Sequence, residues 1–184
     1  MSLWVSDIVE DRSFVTFKLH LPKDGDYTTV NKFRQILSTE VPTIAVDMVE
    51  IFINTSDMPE EIIAHRLGLV PLKCDAQITD SDHLDLEVEA QKPKAILSRD
   101  LVGSIRPVYD DMIICKLRRG QAIKLRAHLK VGTGEEQAKW SPVSNFTFRK
   151  LQAELYQIEM RTIGLVPTKV LIDSALTLFN ERAK

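Results

Sequence analysis

From Ile123 to Val131 the chain alternates without a break. Ile123, Leu125, Ala127, Leu129 and Val131 fall on one side, Lys124, Arg126, His128 and Lys130 on the other. Successive side chains of a strand point to opposite faces, so this pattern commits the segment to a strand with one dry and one wet face. Arg119-Gly120 marks a turn just upstream, and the apolar residues from Ile113 precede it. The sequence therefore predicts two antiparallel strands over Ile113 to Lys130, joined at that turn. A chain holding such a pair must also supply an apolar layer to cover it, so an all-helical fold is excluded.

The same logic places other elements. Val15, Phe17, Leu19 and Leu21 alternate with Thr16, Lys18 and His20, a half-buried strand ended by Pro22 and the turn-forming Lys23-Asp24-Gly25-Asp26. Thr28 or Thr29 offers an N-cap hydroxyl. Val30, Phe33, Ile36 and Leu37 then recur at helical spacing, which predicts a short one-faced helix over Val30 to Ser38. Ile44 to Ile53 is dense in β-branched residues and reads as a strand stopping at Asn54. Ser56-Asp57 ahead of Pro59, Glu60 and Glu61 supplies caps, an early proline and first-turn acids for a second helix. Gly68 suits the left-handed position past its end, with Pro71 beyond. Leu84, Leu86, Val88 and Ala90 alternate with Asp85, Glu87 and Glu89 as a further strand.

A closing helix is expected over Lys169 to Arg182. On a wheel of 100° per residue, Leu171, Ile172, Ala175, Leu176, Leu178 and Phe179 fill an arc of roughly 160°. That is wider than a helix lying on one sheet requires, and it leaves a second side for a partner. The outline is strand and helix, a strand-rich middle, then strand and helix again: an α+β chain. Residues 41–146 are a candidate β-rich insertion into a small unit made from both ends, 1–40 plus 147–184.

Composition narrows the chemistry. The 184 residues carry 44% apolar and 27% charged residues and a net charge of -2, which suits a globular protein and gives no global basic field for nucleic acid. The two cysteines, Cys74 and Cys115, are too few for a cysteine-rich zinc site and read as thiols of a reducing compartment. No apolar run reaches the ~20 residues that span a bilayer, and no signal-peptide core is present, so a soluble intracellular or viral protein without membrane contact is expected.

The search for a catalytic site is negative. Asp80-Ser81-Asp82 looks like a metal-binding Asp-x-Asp, but two acids in a polar loop far more often face solvent. The seven glycines are scattered, the four histidines lack zinc spacing, and no serine sits in a nucleophile elbow.

Charge is blocked instead. Asp75, Asp80, Asp82, Asp85, Glu87 and Glu89 come without a Lys or Arg between them. Lys116, Arg118, Arg119, Lys124, Arg126 and Lys130 come without an acid. These are solvated strand faces, or surfaces complementary to other chains or to each other. A nucleic-acid role for the Lys116–Lys130 block lacks nearby aromatic stacking platforms. His65 and Arg66, mid-helix between Ile62-Ile63 and Leu67, are either locally satisfied or anchors for a neighbouring subunit.

NKFRQILSTEVPTIAVDMVEIFINTSDMPEEIIAHRLGLVPL, from Asn31 to Leu72, resembles the signature of the archaeal D subunit and the eukaryotic alpha-like subunits of DNA-directed RNA polymerase. It is much less like bacterial alpha. LSRDL from Leu97, PVYDDMIICKLRRGQAIKLRAHLKVGTG from Pro107, AKWSPV from Ala138 and YQIEMRTIGLVPTKVLIDSALTLF from Tyr156 follow in family order. The resemblance covers roughly Val15 to Phe179. It implies a dimerisation domain built from both chain ends, interrupted by an inserted β-rich domain. The implied partner is a smaller alpha-like subunit, and the pair forms the platform for the two largest, catalytic subunits. Val30, Phe33, Ile36, Leu37, Leu171, Ala175, Leu178 and Phe179 would then face the smaller partner. His65, Arg66, Leu67, Arg99, Asp100, Lys139 and Trp140 would dock a large subunit. No cofactor is implied, because the family's catalytic magnesium belongs to the largest subunit. DNA and RNA would be met only through the whole complex.

Departures from the pattern are informative. Some relatives carry a zinc loop or an iron–sulfur domain, and two cysteines allow neither. Gln137 stands where the family usually has histidine. A version this short fits a compact eukaryote, an archaeon or a large DNA virus, with nucleus, cytoplasm or virion and host cell as the respective locations; the length favours a virus. The rival reading is a stand-alone transcription regulator that binds nucleic acid through Lys116–Lys130, and an enzyme is the third.

Overall fold

The computed structural model describes residues 3–23, 25–74 and 82–182. In chain order the elements are strands β1 (Trp4–Asp11) and β2 (Phe14–His20), helix α1 (Tyr27–Thr39), strand β3 (Thr43–Asn54) and helix α2 (Glu60–Gly68). Then come strands β4 (His83–Glu89), β5 (Lys94–Leu97), β6 (Val102–Gly103), β7 (Ile113–Leu117) and β8 (Ala122–Gly132). Strands β9 (Val143–Gln152) and β10 (Leu155–Thr162) and helix α3 (Thr168–Arg182) close the chain. Short 3₁₀ turns lie at Ser98–Asp100 and Ala138–Trp140. The chain divides into two compact units, Met1–Thr43 with Thr133–Lys184, and Ile44–Gly132. Residues 133–146, drawn with the middle segment from sequence, pack with the chain ends.

In the unit of the two ends, β1-β2-β10-β9 form one antiparallel sheet. Val15, Phe17 and Leu19 of β2 register against Met160, Ile158 and Tyr156 of β10. All six are buried. Val30, Phe33, Ile36 and Leu37 of α1 and Leu171, Ile172 and Ala175 of α3 are buried in the same unit. Each large apolar side chain removed from water in this way contributes ~1.5–3 kcal/mol before the entropy of ordering it is counted. The helix ends are tied: Arg182 Nη1 bonds Glu40 Oε1 at 2.6 Å.

Details of α1 differ from expectation. Asp26 is the N-cap, its Oδ1 accepting from the backbone of Thr28 (2.9 Å) and Thr29 (3.4 Å), so the helix begins before either threonine. Aspartate places an acceptor and a negative charge at the helix start, which a threonine hydroxyl does only in part. The hairpin's first strand, β1, carries no clean alternation. Its register slips between Ser6 and Val9, and Asp7 sits at φ 52, a bulge that resets the period.

In the middle unit, β3-β8-β4-β6 form one sheet and β5-β7 a second. Ile123, Leu125, Ala127 and Leu129 of β8 lie in a core with Leu84 and Leu86 of β4, Ile63 and Leu67 of α2, and Ile96, Ile114 and Leu117 of the small sheet. The alternation ends there, since Val131 is exposed. Gly120, at φ +81, makes the expected turn, but β7 does not pair with β8 across it. Instead β7 pairs with β5, and β8 with β4. Alternation fixes which face of a strand is dry, not which neighbour it bonds.

Around α2 two further expectations are corrected. Pro59 is the N-cap and no side chain caps the helix; Ser56 instead bonds Asn54 Oδ1 at 2.6 Å, and Asp57 pairs with Arg118 at 3.0 Å. Gly68 is the last helical residue and has no positive φ, and Leu69 follows in ordinary right-handed conformation.

Candidate partner-docking surfaces

The two charge blocks meet on one face. β4 and β8 run antiparallel with Asp85 opposite Arg126 and Glu87 opposite Lys124. Arg126 holds Asp85 with two bonds, Nε to Oδ1 at 2.8 Å and Nη2 to Oδ2 at 3.2 Å. Lys124 reaches Glu87 at 2.9 Å, and His128 lies 3.3 Å from Glu50 of β3. Arg118 is occupied by Asp57. Of the six basic residues Lys124 and Arg126 pair with the acidic block, so complementarity of the blocks to each other is realised in part, on a solvated strand face. Asp75, Asp80 and Ser81 lie outside the described residues, and Asp82, the last residue of the Asp80-Ser81-Asp82 motif, accepts from Ser104 Oγ at 3.0 Å. With Arg118, Lys124 and Arg126 engaged by carboxylates the block offers less to phosphate, which weakens the support for a free-standing nucleic-acid binder.

The hydrogen bond from Arg126, aided by its charge, holds the Asp85 carboxyl below its ordinary 3.8. A depressed carboxylate stabilises the fold above its unfolded pKa and loses that contribution as pH falls through the folded value. Asp85→Asn is therefore expected to lower stability at neutral pH by a few tenths to ~1 kcal/mol, the range for half-exposed pairs. The gap between variant and parent should close below pH ~4. Urea melts at the two pH values check this, and a gap that persists in acid would contradict the assignment.

On the helical layer, Val30, Phe33, Leu37, Leu171 and Ala175 are wholly buried and Ile36 nearly so. These six face their own sheet and each other rather than solvent. Leu176, Leu178 and Phe179 of α3 remain half-buried. The over-wide apolar arc thus has one side used within the unit and one side still partly open. Phe179 also makes an edge contact with Phe33, ring centroids 6.5 Å apart. Between α1 and α3, Ile36 and Phe179 floor a shallow groove of about 370 Å³, rimmed by Lys32, Gln35, Glu40 and Arg182.

On α2, Ile63 and Leu67 face the core, so Leu67 has no surface to offer a partner. Ile62 and Leu69 are 46% and 54% exposed, and His65 and Arg66 are exposed beside them. These positions at i, i+3, i+4 and i+7 form one stripe. Ile62 and Leu69 were not singled out from sequence, although the helical spacing that marked Leu67 as apolar would have set them on the opposite face. Arg66 has an internal task as well: its Nη1 donates to the Ile114 carbonyl at 3.1 Å and so satisfies an acceptor of β7. A groove of about 560 Å³ beside it is lined by Met58, Pro59, Ile62, Arg66, Ile113 and Lys116, with Asp57 at its end.

The remaining expected docking residues lie apart. Asp100 accepts from Leu97 N at 2.9 Å and approaches Lys94 at 3.5 Å, closing its own turn, while Arg99 is exposed. Trp140 is buried, its carbonyl accepting from Thr43 Oγ1 at 2.5 Å, and Lys139 lies over its ring at 4.3 Å. Among the described residues no group of His, Cys, Asp or Glu is arranged to hold a metal, and no helix is long and apolar enough to cross a membrane.

Comparison with known proteins gives this geometry its context. Residues 46–145 match the family described as the RNA polymerase Rpb3/RpoA insert domain. Subunit 3 of DNA-directed RNA polymerases II, IV and V from Arabidopsis thaliana is 35% identical, over 68% of this chain and 51% of that protein. The DNA-directed RNA polymerase subunit Rpo3 of Pyrobaculum islandicum is 39% identical over 64% of this chain and 52% of its own. The RPAC1 subunit of DNA-directed RNA polymerases I and III from Mus musculus is 34% identical over 70% and 49%. The chain spans about half the length of these curated relatives. With more than half of its residues inside the matched domain and relatives of this similarity in a plant, an archaeon and a mammal, the chain belongs to the Rpb3/RpoA insert-domain family of RNA polymerase subunits.

Proposed function

We propose that this chain is a non-catalytic assembly subunit of a DNA-directed RNA polymerase, pairing with a smaller alpha-like chain to make the platform for the two large catalytic subunits. The observation that carries the reading is the helical layer on the unit of the two ends. Its inner side is packed on its own sheet, while Leu176, Leu178 and Phe179 stay half-buried beside an apolar-floored groove. Apolar side chains left partly wet and rimmed by charged groups are what a docking face requires. On this reading residues 1–40 plus 147–184 supply the dimerisation domain, together with the stretch 133–146 that packs with them. The chain works inside the cell, wherever that polymerase transcribes.

The exposed α2 stripe of Ile62, His65, Arg66 and Leu69 is the proposed contact for a large subunit, in place of the buried Leu67. Arg99 is exposed to the same partner, whereas Lys139 lies over the Trp140 ring and Asp100 and Trp140 serve the turns that position them. Co-expression with the smaller alpha-like chain, followed by size measurement, tests the reading; a persistent monomer with no affinity for that chain sinks it. The α2 assignment has its own check. Ile62→Asp with Leu69→Asp should keep a cooperative melt, lowered only modestly because both sites are about half exposed, yet weaken capture of the second-largest subunit roughly tenfold or more. Undiminished capture would place the large-subunit contact elsewhere.

A further inference from the structure

The last strand of the end-unit sheet is open. β9 sits at the sheet edge, paired with β10 on one side, and among the described residues no strand bonds its other side. Its register irregularities fall only at the two ends of the pairing, so Phe146 to Lys150 is a regular stretch of edge. Proteins usually block such edges with bulges, prolines or charges, since unpaired N–H and C=O groups template a further strand. Here the only guards are Arg149 and Lys150, both basic. Phe148 and Leu151, at 37% and 39% exposure, leave apolar surface along the strand.

Beside the start of β9 runs a groove of about 730 Å³, walled by one side of α1 and by Ser144, Asn145 and Phe146. Lys32 and Arg34 stand in its wall, and no carboxylate lines it. Among the described residues neither cation has an ion-pair partner, in contrast to Lys124 and Arg126 on the other unit, which are both paired. A regular open edge, unneutralised cations of a single sign and scattered apolar footholds coincide on one surface.

We propose that β9 and the α1 groove beside it accept an extended, acid-rich segment of another polypeptide, which adds to the sheet as a fifth strand. Main-chain bonds to the β9 edge give the affinity. The alternating side chains of the incoming strand give specificity, acids toward Arg34 on the helix side and Arg149 on the other. A peptide is favoured over nucleic acid because only a peptide backbone can complete the donor and acceptor pattern of a strand edge. Lys32 and Gln35 line both this groove and the one beside Phe179, but the β9 edge and Arg34 take no part in the face proposed for pairing, and the proposal does not depend on that reading.

The test uses the full chain and three labelled ten-residue peptides in which Val-Thr pairs alternate with pairs of Glu, Gln or Lys, so that the variable residues fall on both faces of the strand. Fluorescence anisotropy should show the Glu peptide bound at least tenfold more tightly than the Gln peptide, with no binding of the Lys peptide. A Glu peptide with two of its valines replaced by proline should lose binding, since proline removes the N–H a ladder needs. Arg34→Glu with Arg149→Glu, both exposed changes, should weaken the Glu peptide tenfold or more and admit the Lys peptide. Failure of the Glu peptide to bind, indifference to proline, or indifference to the charge reversal would each overturn the proposal. So would a ten-nucleotide oligo(dT) that displaces the Glu peptide as well as unlabelled peptide does.

Discussion

Phe33→Asp unfolds the unit built from the two chain ends. Phe33 has no exposed surface and stands in the buried row of α1 with Val30, Ile36 and Leu37. Truncating such a phenylalanine to alanine costs ~3–5 kcal/mol, from lost transfer energy and the cavity left behind. Aspartate costs more, because its carboxylate would be buried without a partner. Whole-domain stabilities are only ~5–15 kcal/mol, so the substitution removes most or all of the margin. The expected result is loss of the cooperative melt of this unit, with its amides exchanging freely with solvent. The middle unit has its own core, from Ile44 to Leu129, and should keep its protected amides. Retained protection across β2, β10 and α1 would show that Phe33 is not the keystone its burial implies. The same holds for Leu171→Asp. Either variant would abolish pairing, but through loss of the fold, so neither locates an interface.

That distinction marks where the sequence was legible. Strict alternation in β8 and β2 and the apolar spacing in α1 read directly as one-sided burial, and the structure buries those residues except Val131 at the end of β8. What periodicity does not carry is the identity of the neighbour. β7 and β8 are adjacent in sequence across Gly120, yet β7 bonds β5, because sheet membership is settled by long-range packing. β1 was missed because the bulge at Asp7 erases its period. The residues expected to pair are those with the strongest helical repeat. A strong apolar repeat is the signature of burial in the chain's own core, so Phe33 and Leu171 were found and their surface role was not. The weaker signal was the surplus: Leu176, Leu178 and Phe179 widened the arc beyond what one sheet can cover. The charge blocks were legible as complementary, but only the register of β4 on β8 reveals which members meet, Arg126 with Asp85 and Lys124 with Glu87.

Leu178→Asp combined with Phe179→Asp is therefore the substitution that separates pairing from folding. Both side chains are half-buried, so the new carboxylates keep access to water in the free chain. The loss within the chain is the edge contact of Phe179 on Phe33, ~0.5–1.5 kcal/mol, together with some apolar cover. A lowered but still cooperative melt is expected. In the heterodimer the same carboxylates would be driven against apolar surface; Arg182 at the end of α3 is already held by Glu40, which leaves Lys32 on the groove rim to meet only one of the two. Central apolar anchors of an interface typically cost 2 kcal/mol or more when removed, and buried charge adds to that. Affinity for the smaller alpha-like chain should fall roughly 100-fold or more, about 3 kcal/mol. Calorimetry on the folded variant reads this directly. Wild-type affinity in a chain that melts cooperatively would clear the α3 face of any part in pairing and leave the shared platform without its proposed contact.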